Sequence, residues 1–342
     1  MPAANIIFMD GFDHYNTSAN VADKWNTSGT THSFTSGRIS GSAIRLYGTA
    51  DRLSRSFSNN QFVCVSFGFY ATNLGSTTTQ MCALTDGASV QVDLSINPNY
   101  TLSITRNGTA LTNGTSTLII KPYTWNWIEF KVMIADSISA NSCQVQVNGE
   151  LVINVSTGQD TKVTTNAYAN GLRLNVLDTT NYVHYDDFIL QVGSGSDFLG
   201  DTKIITSFPS SNGSSSSWTG SDGNSTDNYL LVDETNPDDD TTYVQSDTVG
   251  QKDLYGFPSL GSTATSIVAL GVDINCRKTD ATSRTICAVV KSGATEQDGA
   301  NVAVTDTYFY QIQNILPTDP NTSTAWTQAT VEAAEIGQKV IA

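Results

Sequence analysis

Charge is scarce in this sequence, and positive charge scarcest: only 14% of the 342 residues are charged, and 17 Lys and Arg stand against 32 Asp and Glu, for a formal net charge of −15. A surface of that sign repels a phosphate backbone, which argues against direct nucleic-acid binding. Long apolar runs are also missing. None approaches the ~18 consecutive residues of a membrane-spanning helix, so no membrane insertion is expected. The three histidines, His14, His32 and His184, sit beside no Ser or Cys in a nucleophile motif. Cysteine is limited to Cys64, Cys82, Cys143, Cys276 and Cys287, an odd number without a Cys-x-x-Cys pair, and the plain reading is buried, reduced thiols. Basic residues are absent before the first apolar ones, and Asp10 arrives too early for a signal-peptide core. Residues 1–8 therefore read as a first strand, not as a secretion signal.

What is abundant is Ser, Thr, Asn and Gly, with a hydrophobic content of 39% that excludes a disordered chain. The length favours two domains over one. Short apolar runs of period two, bounded by Gly, Asn, Asp and Ser, recur throughout and predict strands at 39–46, 62–70, 89–96, 101–105, 116–120, 127–135, 143–147, 151–155, 171–176 and 182–192. Asn107-Gly108 and Asn148-Gly149 carry the signal of tight hairpin turns. Gly193-Ser194-Gly195-Ser196-Asp197 then offers much that bends and little that packs, which places a domain boundary between 1–192 and 193–342. Beyond it the pattern predicts a strand at 203–208, a Ser-rich loop at 210–217, a strand at 229–232 and an acidic turn at 236–240. A main pair follows at 265–276 and 285–291, with another strand at 308–315. A single helix is expected at 328–336, with Gly337 as its terminator. The fold class is all-β, a β-sandwich followed by a smaller, loop-rich β domain with a short C-terminal helix.

Three segments appear in order in the first domain: Met9-Asp10-Gly11-Phe12-Asp13; Trp125-Asn126-Trp127-Ile128-Glu129-Phe130-Lys131-Val132 followed by Val145-Gln146-Val147-Asn148-Gly149; and Tyr185-Asp186-Asp187-Phe188. On these the domain resembles the concanavalin-A-like, or laminin-G-like, jelly-roll family as it occurs in phage structural proteins. The resemblance implies a two-sheet sandwich whose first and last strands pair. More loosely, the second domain resembles segments of phage structural proteins through Gly256-Phe257-Pro258-Ser259-Leu260 and Ala325-Trp326-Thr327.

Catalytic members of the same jelly roll hydrolyse glycans with paired carboxylates, commonly as Glu-x-Asp-x-x-Glu on one strand. That spacing is absent. Glu129 is expected on the solvated face between Trp127 and Lys131, without a second carboxylate, and the chain is therefore expected not to be an enzyme. Asp10, Asp13, Asp186 and Asp187 would approach one another if the terminal strands pair. Such hard oxygen ligands can hold Ca2+, or they serve as hydrogen-bond and turn groups, but alternation sends Asp186 and Asp187 to opposite faces unless a bulge intervenes. The run at 238–240 lacks the Gly and Glu of a calcium loop and reads as a solvated turn. His184 reads as a packed side chain. Trp218, between Ser217 and Thr219-Gly220, is the tryptophan expected to be exposed and free to stack on a sugar.

The composition suits an extracellular adhesive protein, while the cysteines and N-terminus suit folding in a cytoplasm. A virion component, assembled in the host cytoplasm, satisfies both. The expected function is a phage structural protein associated with the tail, tail tip or fibre, presenting a lectin-like domain to host-surface glycans. The alternative is a capsid decoration or head-fibre protein that stabilises the shell without a ligand. Expected partners are other virion proteins and further copies of the chain. A symmetric homo-oligomer is expected, because polar residues 210–250 show little core of their own to offset the entropy of ordering them, and the resemblance to phage adhesins, many of them trimeric, favours a trimer.

Overall fold

The computed structural model describes residues 5–15, 17–28, 32–48, 51–72, 76–175 and 182–342. Residues 1–4 of the expected first strand, and Val176 at the end of another, lie outside them. The chain divides into two compact units, one of Met1–Asp13 and Thr17–Ile204, the other of His14–Asn16 and Ile205–Ala342. In both, the regular elements are nearly all strands.

The first unit is a sandwich. One sheet runs in the order Glu150–Asn154, Cys143–Val147, Asn126–Met133, Phe62–Ala71, Tyr182–Val192, Ser42–Tyr47, Ser33–Ser36, with Ile6–Asp10 also paired to Tyr182–Val192. This is the pairing of first and last strands that the resemblance implies. The other sheet runs Thr109–Ile119, Thr101–Arg106, Ser89–Ile96, Thr79–Asp86, Ala169–Asn175, Arg52–Asn60, Asn26–Ser28. Strict alternation builds the core between them. Val63, Val65, Phe67 and Phe69 point inward beside Ile128, Phe130 and Val132, and Leu84, Leu94, Ile104 and Leu174 come from the other sheet, all essentially buried. Burying each such side chain stabilises by about 1.5–3 kcal/mol. The two Asn-Gly pairs close hairpins as expected, with φ of 50° and 72° at Asn107-Gly108 and 51° and 83° at Asn148-Gly149.

Residues 193–204, expected to begin a linker, belong to the first unit. The amides of Leu199 and Gly200 donate to Glu129 Oε1 at 2.7 and 3.2 Å, and Lys131 Nζ meets Asp197 at 2.8 Å. Backbone amides can anchor a segment that has few apolar side chains.

In the second unit the main sheet is Ser211–Ser216, Lys252–Gly256, Glu335–Val340, Thr285–Ser292, Thr295–Asp298, with Val302–Ala303 also on Thr285–Ser292. Its core gathers Trp218, Ile286, Ala288, Val290, Leu316, Trp326 and Ile336. Several expectations are corrected here. The Ser-rich loop is an edge strand, where pairing on one side needs no apolar alternation. Residues 203–208 form no strand, and 229–232 is a 3-10 turn, Asn228–Leu231. Leu270–Cys276 pairs with Phe309–Leu316 in a sheet of its own, apart from Thr285–Ser292. The helix is confined to Gln328–Glu332, and Gly337 lies inside a central strand. A Cβ on Gly337 would stand 1.9 Å from the Asp253 carbonyl oxygen, so the glycine marks a close strand approach instead of a helix end.

The stretch 210–250 has internal anchors that its composition hides. Buried Asp253 accepts from the Ser217 and Trp218 amides at 2.6 and 2.8 Å and from Asn228 Nδ2 at 2.6 Å. The acidic turn is tied by Thr242 Oγ1, which reaches Glu234 at 2.6 Å and Asp238 at 2.8 Å, and by Arg277 on Asp240 at 2.6 Å.

Candidate functional site

The alternation that sends Phe67 and Phe69 inward turns Cys64, Ser66, Gly68 and Tyr70 to the outer face of the eight-stranded sheet. Register then sets Glu129 beside Ser66, Trp127 and Asp186 beside Gly68, and His184 between Tyr70 and Arg45. Two zones result, one of carboxylates and one of rings.

The carboxylate zone collects two of the four expected ligand acids. A bulge follows Asp186, and Asp187 takes φ of 51°, so both carboxylates turn to the same side despite being neighbours. What they hold is Arg38. Its backbone amide donates to Asp186 Oδ2 at 2.6 Å and its Nε to Asp187 Oδ2 at 2.8 Å. The remaining guanidinium nitrogens reach Asp201 Oδ1 and the Thr202 carbonyl, each at 2.6 Å, and the group lies over the Trp127 ring at 4.9 Å. Only a glycine at 68 permits this crossing, because a Cβ there would sit 2.8 Å from Arg38 Cδ. Ile204 N occupies Asp187 Oδ1 at 2.6 Å. Asp13 accepts from Ser42 N at 2.7 Å. Asp10 is held separately, by Phe12 N at 2.9 Å and Trp25 Nε1 at 2.7 Å. Among the described residues no group of three or more His, Cys, Asp or Glu is arranged to hold a metal ion.

Burial dominates the electrostatics of this zone. It pushes the Asp186 carboxyl up to about 8, with the Asp187 charge adding to the effect. Asp187 and Glu129 are also raised by burial, against the opposing pull of the amides and, for Asp187, of Arg38. Glu129 was expected on a solvated face; instead it is fully buried, because residues 197–204 lie over it. Trp218 is corrected in the same sense. It is 8% exposed within the core of the second unit, where its Nε1 donates to the Gln251 carbonyl at 3.2 Å, so it presents no ring face to a sugar.

The ring zone lies toward the other end of the same sheet face. Tyr70, His184 and Tyr182 form a parallel stack, with centroids 4.8 and 5.3 Å apart and interplanar angles of 8° and 6°. Trp125 closes one end, 5.6 Å from Tyr70, and the Arg45 guanidinium covers the other, 5.3 Å from the Tyr182 ring. Tyr47, register partner of Tyr182, is 41% exposed. Trp125, Tyr70, Tyr182 and Arg45 are half-buried. Tyr70 Oη, Tyr182 Oη, Trp125 Nε1 and His184 Nε2 have no hydrogen-bond partner among the described residues. Burial and the nearby Arg45 charge lower His184 to about 4, so its imidazole is neutral at pH 7. A row of ring edges with unused donors and acceptors can hydrogen-bond a hydroxylated ligand, and the exposed rings can cover its C–H surface.

Sequence reasoning weighed His184 and Trp125 singly and missed the row. The signal available was the outward period of Tyr182 and His184, but joining it to Tyr70, Arg45 and Trp125 needs the strand order. That order is set by pairings more than a hundred residues apart.

No protein-family model matches the chain, and no curated protein matches it. Among solved structures it is similar to a sialidase, at 13% identity and a TM-score of 0.40, over 56% of this chain and 19% of that one. It is also similar to domain 4 of AbnA, an extracellular GH43 arabinanase from Geobacillus stearothermophilus in complex with arabinotriose, at 19% identity and a TM-score of 0.35, over 48% and 77% of the two chains. A third is a conserved carbohydrate esterase from the Shiga toxin-encoding bacteriophage phi24B, at 15% identity and a TM-score of 0.37, over 53% and 97%. The chain spans 19–30% of the length of the sialidases it matches. These neighbours overturn the expectation that the chain is not an enzyme.

Proposed function

We propose that the first unit binds saccharides on the ring zone of its eight-stranded sheet, and that the chain serves as an adhesive component of a phage particle, associated with the tail, tail tip or fibre. The observation that carries the binding reading is the row itself: half-buried Trp125, Tyr70 and Tyr182 around buried His184, with four polar atoms that have no hydrogen-bond partner among the described residues. Of the four atoms His184 Nε2 is buried, and leaving a buried polar atom unpaired is unfavourable by about 1–3 kcal/mol. Sheet faces that only meet water place charged or short polar groups there, not a row of rings. Two features support the virion reading: the resemblance of residues 5–192 to phage structural proteins, and five thiols that all remain unpaired in the fold, as suits a chain folded in a reducing cytoplasm.

The experiment compares the whole chain with Trp125→Ala, Tyr70→Ala and Tyr182→Ala variants for retention on host-surface polysaccharide. Each single change should weaken binding roughly tenfold, as loss of an aromatic anchor does, and the three together should abolish it. Undiminished retention by a folded triple variant would refute the assignment of the surface. Labelled antibody against the chain should mark the tail in images of the assembled particle, and a label confined to the head would refute the tail reading.

A further inference from the structure

The ring row contains one charged side chain, and among the described residues no acid pairs with it. Arg45 stands opposite His184 in the register, its guanidinium stacked on Tyr182 and its Nε bonded to Ser33 Oγ at 2.9 Å. No carboxylate lies within ion-pair distance of it among the described residues. Four other cations of the same unit each meet an acid: Arg38 meets Asp187 and Asp201, Arg106 meets Asp160, Lys131 meets Asp197, and Lys162 meets Asp136, all at 2.6–2.9 Å. Arg52 and Arg173, on the opposite sheet, share with Arg45 the lack of an acidic partner among the described residues, but of the three Arg45 alone stands in the ring row. The carboxylate nearest in sequence, Asp51, is buried elsewhere, accepting from Tyr47 N at 3.1 Å and lying 4.0 Å from His32.

We infer that the saccharide taken by this row is acidic, carrying a carboxylate or a sulfate that pairs with Arg45. This rests on the reading that the row binds saccharides. A guanidinium stacked on one ring face keeps its in-plane N–H edge open, and that edge matches two oxygens of a carboxylate or sulfate side by side. His184 is neutral and the row's other side chains are uncharged, so Arg45 alone sets the sign of the ligand. The net charge of −15 disfavours an anion over the surface as a whole, so within the row the Arg45 guanidinium carries the attraction for one.

The test presents the full chain to immobilised glycans of four kinds, neutral, uronate-bearing, sialylated and sulfated, and compares it with Arg45→Gln, Arg45→Lys and Tyr182→Ala. The expected result is binding concentrated among the acidic glycans, weakened by salt, reduced about 10- to 100-fold in Arg45→Gln and partly kept in Arg45→Lys. Tyr182→Ala should weaken binding to every glycan, acidic or neutral, about tenfold. The His184 imidazole, followed by NMR, should titrate at higher pH in Arg45→Gln, which shows that the row is intact and only the charge is gone. If neutral glycans bind as well as acidic ones and Arg45→Gln changes nothing, the inference about acidity fails while the row remains a saccharide site. A panel without any bound glycan overturns both.

Discussion

Replacing Arg38 with alanine removes the cation on which two buried carboxylates and a backbone segment converge. The Arg38 side chain is 7% exposed and that of Asp187 is 6%, so the pair sits where solvent screens little. Breaking a buried pair by deleting one partner costs about 3–5 kcal/mol, because the surviving charge is left without compensation. Part of that cost is avoidable here. Asp186 is already pushed up to about 8 and Asp187 is raised, so both can take up a proton instead of remaining ionised. The backbone amides on Asp186 and Asp187 also survive the change. We therefore expect a loss near ~3 kcal/mol at pH 8 and a smaller one at pH 5, where proton uptake is cheap. Urea unfolding followed by tryptophan fluorescence measures it, since Trp127 lies directly beneath the guanidinium. Residues 201–204 should also gain in amide exchange, as Asp201 and Thr202 lose their partner. A loss below ~1 kcal/mol at both pH values, or one that grows as pH falls, would refute this account of the zone.

The pH dependence of the unsubstituted chain follows from two groups with opposite signs. Asp186 keeps its proton in the folded state up to about 8 while the unfolded chain releases it near 4, so its contribution to stability is lost as pH rises between those values. His184, lowered to about 4, gives stability that grows from about 4 to about 6.5, where the unfolded imidazole finishes releasing its proton. Between pH 6.5 and 8 only the first trend remains, so stability should fall across that interval and Asp186→Asn should flatten it; a flat or rising curve in the unsubstituted chain contradicts the assignment. Gly337→Ala should cost at least ~1–3 kcal/mol in urea unfolding, because the new methyl meets the backbone of Lys252–Gly256. Gly108→Ala, with nothing within 4 Å but φ of 72°, should cost only about 1 kcal/mol, and equal losses at the two sites would argue against overpacking at Gly337.

The first unit was readable because its strands are buried on one face and alternate. Ile128, Phe130 and Val132 predict both a strand and its inward side, and the Asn-Gly pairs place two hairpins. Which residues cover the other side is not a property of the strand. Glu129 alternates outward as expected, yet it is sealed by amides some seventy residues further along, in a stretch whose Gly, Ser and Asp content resembles a linker. The bulge at Asp187 is equally silent in composition, since it depends on Arg38 arriving from a distant loop to receive both carboxylates. In the second unit, edge strands of Ser and Gly pair by backbone alone and leave no apolar rhythm to read. There Trp218 has polar neighbours in sequence and apolar ones in space. The segment 328–340 mixes Ala and Glu with Ile336 and Val340; its first half keeps its helical preference over Gln328–Glu332, and tertiary pairing on both sides of Glu335–Val340 stops the helix there.

The same physics that hides Glu129 confines binding to one end of the sheet face. Across Gly68 the face is crossed by Arg38, and beside it the amides of residues 199, 200 and 204 take up oxygens of Glu129 and Asp187. A ligand entering there would have to break charge-assisted hydrogen bonds that are already satisfied, and each such bond is worth about 1.5–3 kcal/mol. Toward Tyr70 and Tyr182 no such penalty applies. Among the described residues the polar atoms have no partner to lose, the rings are held in a stack that costs little further ordering, and His184 adds no charge at neutral pH. In the proposed site, selectivity would rest on Arg45, because it is the group in the row whose interaction with a ligand changes sign with the ligand's charge.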